Sequence, residues 1–528
     1  MRDFQLPGRS PVIATSGVCA TSHPLAANVA LDTLKAGGNA VDAALSAAFM
    51  LGVCEPQMTG IGGDCFALID VPDRQDIIAL NGSGRAPSAI DAEKLRADGL
   101  DHIPERSVHA VTIPGAIDAF CMLSSDWGKL ALEDVIRPAI HYAEEGVPVA
   151  ARTALDWKIA ERDGHLSGVA KEHYLHAGSA PKEGDLFRAP KQAEVLRKIS
   201  DEGRSGFYEG AVAHDMLHSL QALGGTHTEA DFAGPHAFYT SPISGDYKGV
   251  ELVEHPPNGQ GATAILMANI LSHFELGNLA PFGADRIHLE AEAAKLAYDA
   301  RNRIIADPDE TRRLSHMLSM STAEKLASLI NPRQAMPCAT SISEAVHKDT
   351  VYLTVVDKDR MSVSLIYSIF HSFGSGLASD KYGILFQNRG AGFNLTQGHP
   401  NEARGGKQPM HTIIPGMLRE KGRVTMPFGV MGGAYQPNGH VRFLSNMLDF
   451  GLDSQAAIDA PRSFADAGKL KLERRHDDKV KAELSRMGHD ILTPEIPIGG
   501  AQAIRIDHDR GVLIGASDPR KDGCAIGY

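Results

Sequence analysis

Across residues 347–376 the chain alternates with the two-residue period of a strand. Thr350, Tyr352, Thr354 and Val356 fall on one face, and Val351, Leu353 and Val355 on the other. Lys358, Asp359 and Arg360 make a polar connection, after which Val363, Leu365 and Tyr367 alternate with Ser364, Ile366 and Ser368. This is the pattern of a hairpin. Elsewhere the period lengthens. Residues 24–35 predict a helix stopped by Gly37 and Gly38. Asn39 can cap the next helix, with Asp42 in its first turn and an apolar stripe of Val41, Ala44, Leu45, Ala48 and Phe49. Further helices are predicted over 131–145 (broken or kinked at Pro138), 192–202, 211–223, 261–273, 286–303 and 440–450. Strands are predicted at 12–15, 65–69, within 239–253, and at 384–387, 411–418 and 424–430. A helix-rich first half and a strand-rich second half predict a layered α/β fold.

The 528 residues would allow three or four domains or one large layered enzyme. A hydrophobic share of 43% with 22% charged residues marks a globular chain. The net charge of −13 argues against nucleic acid and anionic membrane as partners. No apolar run reaches the length of a membrane span and the N-terminus has no uninterrupted apolar signal core, so the cytoplasm is the expected location. Cys19, Cys54, Cys65, Cys121, Cys338 and Cys524 are scattered, which predicts buried free thiols rather than disulfides or zinc. His165, His173 and His176 form no paired ligand spacing, and no metal or cofactor is expected. The turn Gly60-Ile61-Gly62-Gly63 lacks the phosphate-loop pattern and runs from helix to strand, opposite to a dinucleotide fingerprint. Arg85 sits in a second Gly-rich loop, NGSGRAP, where it is either solvated or a fork for a substrate carboxylate.

Taken together, several stretches resemble the gamma-glutamyltransferase family of N-terminal-nucleophile hydrolases over essentially the whole chain. They are GGNAVDAA, EPQMTGIGGD, SPISGDYKG, PPNGQG, TVYLTVVD with FGSG, MGG, the APR at 460–462 and GASDPR at 515–520. The resemblance implies an αββα four-layer sandwich made as one precursor and cut just before a threonine. Matched residue by residue, the cut falls between Asp349 and Thr350. A large subunit (1–349) and a small one (350–528) would then both contribute to one αββα domain. They would stay associated as a heterodimer, which can itself pair into a dimer of heterodimers. Thr350 would be the nucleophile, Ser368 its hydroxyl partner on the neighbouring strand, and Gly432 and Gly433 the oxyanion-hole pair. The chemistry is economical. A threonine hydroxyl needs a base beside it, and the freed α-amino group, with a reference pKa of about 7.7–8, supplies one from the same residue.

The sequence departs from the family where a glutamyl group would be held. The family's arginine falls on Ser83, two residues before Arg85; its acidic pair falls on Ala391 and Gly392; its asparagine on the second hairpin strand falls on Phe370; its paired serines fall on His411 and Thr412. Loss of acidic groups with gain of Arg389 and His411 disfavours an ammonium and favours a small carboxylate. The same stretches resemble the branch that includes oxamate amidohydrolase. The expected substrate is therefore a small carboxylate amide, oxamate first, giving oxalate and ammonia. The expected binding residues are Arg85, Arg389, His411, Thr412 and Phe370. Three other readings stand beside it: a glutathione hydrolase or γ-glutamyltransferase, an acylase for larger amides, and a non-catalytic homologue.

Overall fold

A computed structural model describes residues 4–5, 8–337 and 350–528. Fourteen strands build its two large sheets. In chain order they are β1 (Val12–Ala14), β2 (Val18–Thr21), β3 (Asp64–Asp70), β4 (Ile78–Gly82), β5 (Phe238–Thr240), β6 (Ile243–Tyr247), β7 (Val250–Glu254), β8 (Val351–Val356), β9 (Ser362–Ser368), β10 (Gly416–Glu420), β11 (Arg423–Met431), β12 (Gly500–Asp507), β13 (Val512–Ser517) and β14 (Cys524–Gly527). One sheet has the order β14-β2-β8-β9-β3-β4-β5, the other β1-β13-β12-β11-β10-β7-β6. All their ladders are antiparallel.

The predicted hairpin is β8–β9, paired Val351 to Tyr367 through Val356 to Ser362. Both its faces are buried because it lies mid-sheet between a helical layer and the second sheet. Val351, Leu353 and Val355 pack with helices α1 (Pro24–Lys35) and α2 (Ala40–Cys54), while Tyr352 and Val356 face the space between the sheets. The outer face of the other sheet is covered by α3 (Gly261–Leu271), α4 (Ala284–Ile304) and α5 (Gln436–Leu448). The layers are thus helix, sheet, sheet, helix, the expected αββα sandwich. Helix α2 is apolar all round and fully buried, as a helix enclosed by a sheet and other helices must be. Its start is fixed twice. Asn39 and Asp42 form a capping box, and Asp357, which ends the hairpin's first strand, accepts the N–H of Ala40 at 3.0 Å.

Three predicted elements differ. Residues 132–145 form one helix that continues through Pro138. Residues 384–387 form no strand; Leu385 makes only an isolated bridge with Ala378. The strand expected from His411 begins only at Gly416. There the backbone donors are taken by side chains: Ile413 N–H goes to His411 Nδ1 at 3.3 Å and Ile414 N–H to Gln436 Oε1 at 2.8 Å, and Pro415 has none. The segment is extended but cannot join a ladder.

Candidate active site

A small cluster between the sheets holds the site together. It comprises Phe66, Tyr352, Ile366, Ile413 and Met431. Each is a near neighbour in sequence of a residue of the candidate site: Tyr352 of Thr350, Ile366 of Ser368, Ile413 of His411 and Thr412, Met431 of the Gly432 backbone, and Phe66 of Asp64. Packing these five apolar side chains brings the five polar segments to one end of the hairpin. Thr350 Oγ1 lies 3.2 Å from Ser368 Oγ, with Thr350 only 1% exposed. Ser368 Oγ also accepts the N–H of Phe370 at 2.9 Å and Nη2–H of Arg389 at 3.3 Å. Two N–H donors occupy its lone pairs, so its own proton is what it can offer to an oxygen such as Thr350 Oγ1.

Arg389 is fully buried. Its guanidinium lies 4.0 Å from the centre of the Phe370 ring, and Nη1 donates to Thr412 Oγ1 at 2.9 Å. Among the described residues Nε has no hydrogen-bond partner. Burial lowers its pKa to about 9, against the pull of Asp64, which favours the charged form. Phe370 holds a left-handed backbone, φ +79°, a strained choice for an aromatic residue. The bond to Ser368 and the stack under Arg389 hold it there.

Sequence reading missed Asp64. Its Oδ1 accepts Gly84 N–H at 2.9 Å, Gly115 N–H at 3.2 Å and Gln387 Nε2–H at 2.8 Å. Its Oδ2 lies 3.1 Å from His411 Nε2. Because His411 Nδ1 accepts from Ile413, Nε2 carries the proton and donates to Asp64. Burial first, then Arg389 and His255, push the His411 pKa well down, so the ring is neutral. Burial likewise raises Asp64 to about 6, with Arg389 opposing. His411, expected to face a substrate carboxylate, instead spends its N–H on Asp64. Its imidazole is sealed in beside Phe66.

Gly432 and Gly433 turn out of β11 at φ +121° and +55°. A Cβ on Gly432 would stand 3.0 Å from Gly499 Cα. The turn is tied down by Gln260, another residue the sequence left without a role, although it lies in the PPNGQG stretch. Gln260 Nε2 donates to Gly433 O at 2.9 Å and to Thr412 O at 2.6 Å, and Oε1 accepts from Arg301 at 2.8 Å. Gly63 explains the first Gly-rich turn: a Cβ there would meet the Ser368 carbonyl oxygen at 2.4 Å, so the turn runs close against the backbone of the second hairpin strand. Ser83, where the family's arginine falls, sits in a buried amide network with Asn258 and Gln408.

Arg85 is not with this group. It is half-buried, 3.7 Å from Asp307 and bonded to Gly406 O. Asp349 lies outside the described residues, as does Cys338. Cys19, Cys54, Cys65, Cys121 and Cys524 are free thiols. A cleft of about 650 Å³ adjoins the site; Ala391, Gly392, Met410 and Ala434 in its wall are close neighbours in sequence of Arg389, His411 and Gly433.

The family model described as Gamma-glutamyltranspeptidase matches residues 26–528. The chain belongs to the gamma-glutamyltranspeptidase family. A glutathione hydrolase-like proenzyme of Bacillus subtilis, YwrD, is 33% identical over 98% of this chain and 99% of its own length. The oxamate amidohydrolase proenzyme of Klebsiella pneumoniae is also 33% identical, with the same coverage. Among solved structures, the cephalosporin acylase from Bacillus halodurans superposes with a TM-score of 0.92 at 37% identity, covering 100% of this chain and 99% of its own. As a gamma-glutamyltranspeptidase family member the protein is an N-terminal-nucleophile amidohydrolase whose relatives are made as proenzymes. No helix among the described residues is long and apolar enough to cross a membrane.

Proposed function

We propose that the chain cuts itself between Asp349 and Thr350 and then hydrolyses the amide of a small carboxylate, with oxamate the preferred substrate. In the precursor, Thr350 Oγ attacks the Asp349 carbonyl, the peptide nitrogen leaves as the new α-amino group, and water hydrolyses the resulting ester. In turnover the freed amine takes the Thr350 hydroxyl proton as Oγ attacks the substrate amide carbon. The N–H groups of the Gly432–Gly433 turn face the developing oxyanion, the amide nitrogen leaves as ammonia after taking that proton, and water releases the acid. Ser368 supports the nucleophile by hydrogen bond.

The observation that carries the substrate class is the position of Arg389. Its Nη2 is bonded to Ser368, which is bonded to Thr350. The Nε/Nη2 edge could grip a carboxylate side-on, and this close to the nucleophile it suits a carboxylate joined directly to the scissile carbonyl, as in oxamate. A glutamyl or glutaryl group places its far carboxylate several carbons away. The neutral, occupied His411 supplies no second cation, and no acidic pair stands at Ala391–Gly392 to hold an ammonium.

An acylase for larger amides is the second reading, favoured by the size of the cleft and by the likeness to cephalosporin acylase. Purified protein incubated with oxamate, with glutaryl-p-nitroanilide and with γ-glutamyl-p-nitroanilide separates the readings. Ammonia release from oxamate at the highest kcat/KM supports the first. Faster turnover of the glutaryl compound supports the second, and acceptor-stimulated turnover of the glutamyl compound would replace both.

A further inference from the structure

The stretch 331–337 ends with Met336 and Pro337 in the wall of the 650 Å³ cleft, and its fastenings stand out. His288 Nε2 meets Asn331 O at 2.8 Å, and His288 Nδ1 meets His489 Nε2 at 2.8 Å. A carbonyl can only accept, so His288 donates from Nε2 and receives His489 Nε2–H on Nδ1. Ala335 N–H donates to Met487 O at 2.8 Å, Met336 N–H to Glu292 Oε2 at 2.8 Å, and Lys295 Nζ–H to Met336 O at 3.0 Å. Lys295 also holds Glu292 Oε1 at 2.6 Å. His288, Glu292 and His489 bring three ligand-type atoms within 4.8 Å of one another. The facing lone pair and N–H of the two imidazoles, and an ammonium on the carboxylate, make this a hydrogen-bonded clamp rather than a cation cage. Burial, helped by Lys295 and His288, keeps His489 down at about 3, so its ring is neutral near neutral pH.

The clamp fixes Met336 and Pro337 in the wall of the 650 Å³ cleft, across from Ala391, Gly392, Met410 and Ala434. Met336 packs against the core under α4. We propose that this stretch, near the end of the large subunit, stays fastened after the cut and forms a fixed wall that limits the size of the group the enzyme accepts on its substrate. The inference rests on the proposed amidohydrolase reading for its substrate consequence, but not for the fastening. Glu292, Lys295 and His288 are positioning residues; Met336 is the specificity-determining side chain.

Two measurements test it. Hydrogen exchange by mass spectrometry on the processed protein should show the amides of Gln334 to Met336 protected. Glu292→Gln combined with Lys295→Met should remove that protection while the peptides of β8 and β9 stay protected. Unprotected amides in the wild-type protein would overturn the fastening. For the substrate role, Met336→Ala should raise kcat/KM for glutaryl-p-nitroanilide relative to oxamate by about tenfold, the scale of a few methylenes of room in a pocket. The change should fall mainly on KM, and Met336→Leu should restore the wild-type ratio. An unchanged ratio in a folded, turning-over Met336→Ala enzyme overturns the wall. If neither compound is turned over by wild-type protein, the substrate reading and the size limit built on it both fail, while the exchange result still decides the fastening.

Discussion

At the scale of single residues, Thr412, Arg389, Ser368 and Thr350 form one run of hydrogen bonds, and Asp64 acts on Arg389 through its charge. Thr350→Ala is expected to remain one uncut chain on a denaturing gel and to turn over nothing. Arg389→Lys keeps the charge but loses the planar fork. It should cost about 1.5–3 kcal/mol, roughly ten- to hundredfold in kcat/KM for oxamate, the worth of a hydrogen bond to a charged group. Steady-state kinetics on the processed variant would measure this. Asp64 gives a pH signature. Burial lifts its folded pKa to about 6, above the ordinary carboxylate value of about 3.9, so the folded state binds this proton more tightly than the unfolded one. Its contribution to stability is therefore full below about pH 4 and is lost as pH rises through about 6. Asp64→Asn should flatten this part of the stability curve by about 3 kcal/mol, read from urea melts across that interval. The sequence could not expose Asp64 because nothing in GIGGD distinguishes a catalytic-site anchor from a turn residue. Its meaning comes from Gly84, Gly115, Gln387 and His411, brought to it from far along the chain. His411 was misjudged for the same reason: its type suggested a cation, and only its neighbours reveal a neutral donor.

At the scale of elements, periodicity served the hairpin, α1, α2 and β11 well because each has a buried face or faces set by regular burial. It failed at 384–387, whose amides go to Ser379, Leu377 and Gly62 rather than to one neighbouring strand, and at 411–415, where Ile413 and Ile414 N–H go to side chains and Pro415 has none. These irregular stretches flank Arg389 and carry His411 and Thr412, so the places where strand reading failed are those that build the site. The Gly432–Gly433 turn is the element most sensitive to change. Gly432→Ala places a Cβ against Gly499 in a left-handed conformation. Its rate should fall by about 10²–10³, the scale of a lost oxyanion donor, with a lowered melting temperature from the strain. Thermal melts and kcat on the same preparation would separate the two effects.

At the scale of the whole molecule, the expected cut leaves both sheets continuous. β8 and β9, from the small subunit, lie between β2 and β3 from the large one. In the other sheet β10 pairs with β7, and β13 with β1, across the same divide. The two pieces, of 349 and 179 residues by the expected cut, should co-elute on gel filtration at any dilution and separate only in denaturant, with one cooperative unfolding transition. Fragments that part in native buffer would refute this. A layered α/β fold was legible in the helix-rich first half and strand-rich second half, and the αββα order came from the family resemblance. The interleaving was not legible, since strand order depends on which distant segments share a ladder.

That interleaving has a consequence for how the protein comes to life. Thr350 stands at the head of a strand in the middle of a sheet, shut away from solvent. If the chain makes the proposed cut itself, an unfolded copy would have no Thr350–Ser368 hydroxyl pair to do the work. Activation would then be available only to a chain that has already assembled both sheets. A misfolded copy would stay inert, and the birth of the enzyme would double as its own inspection.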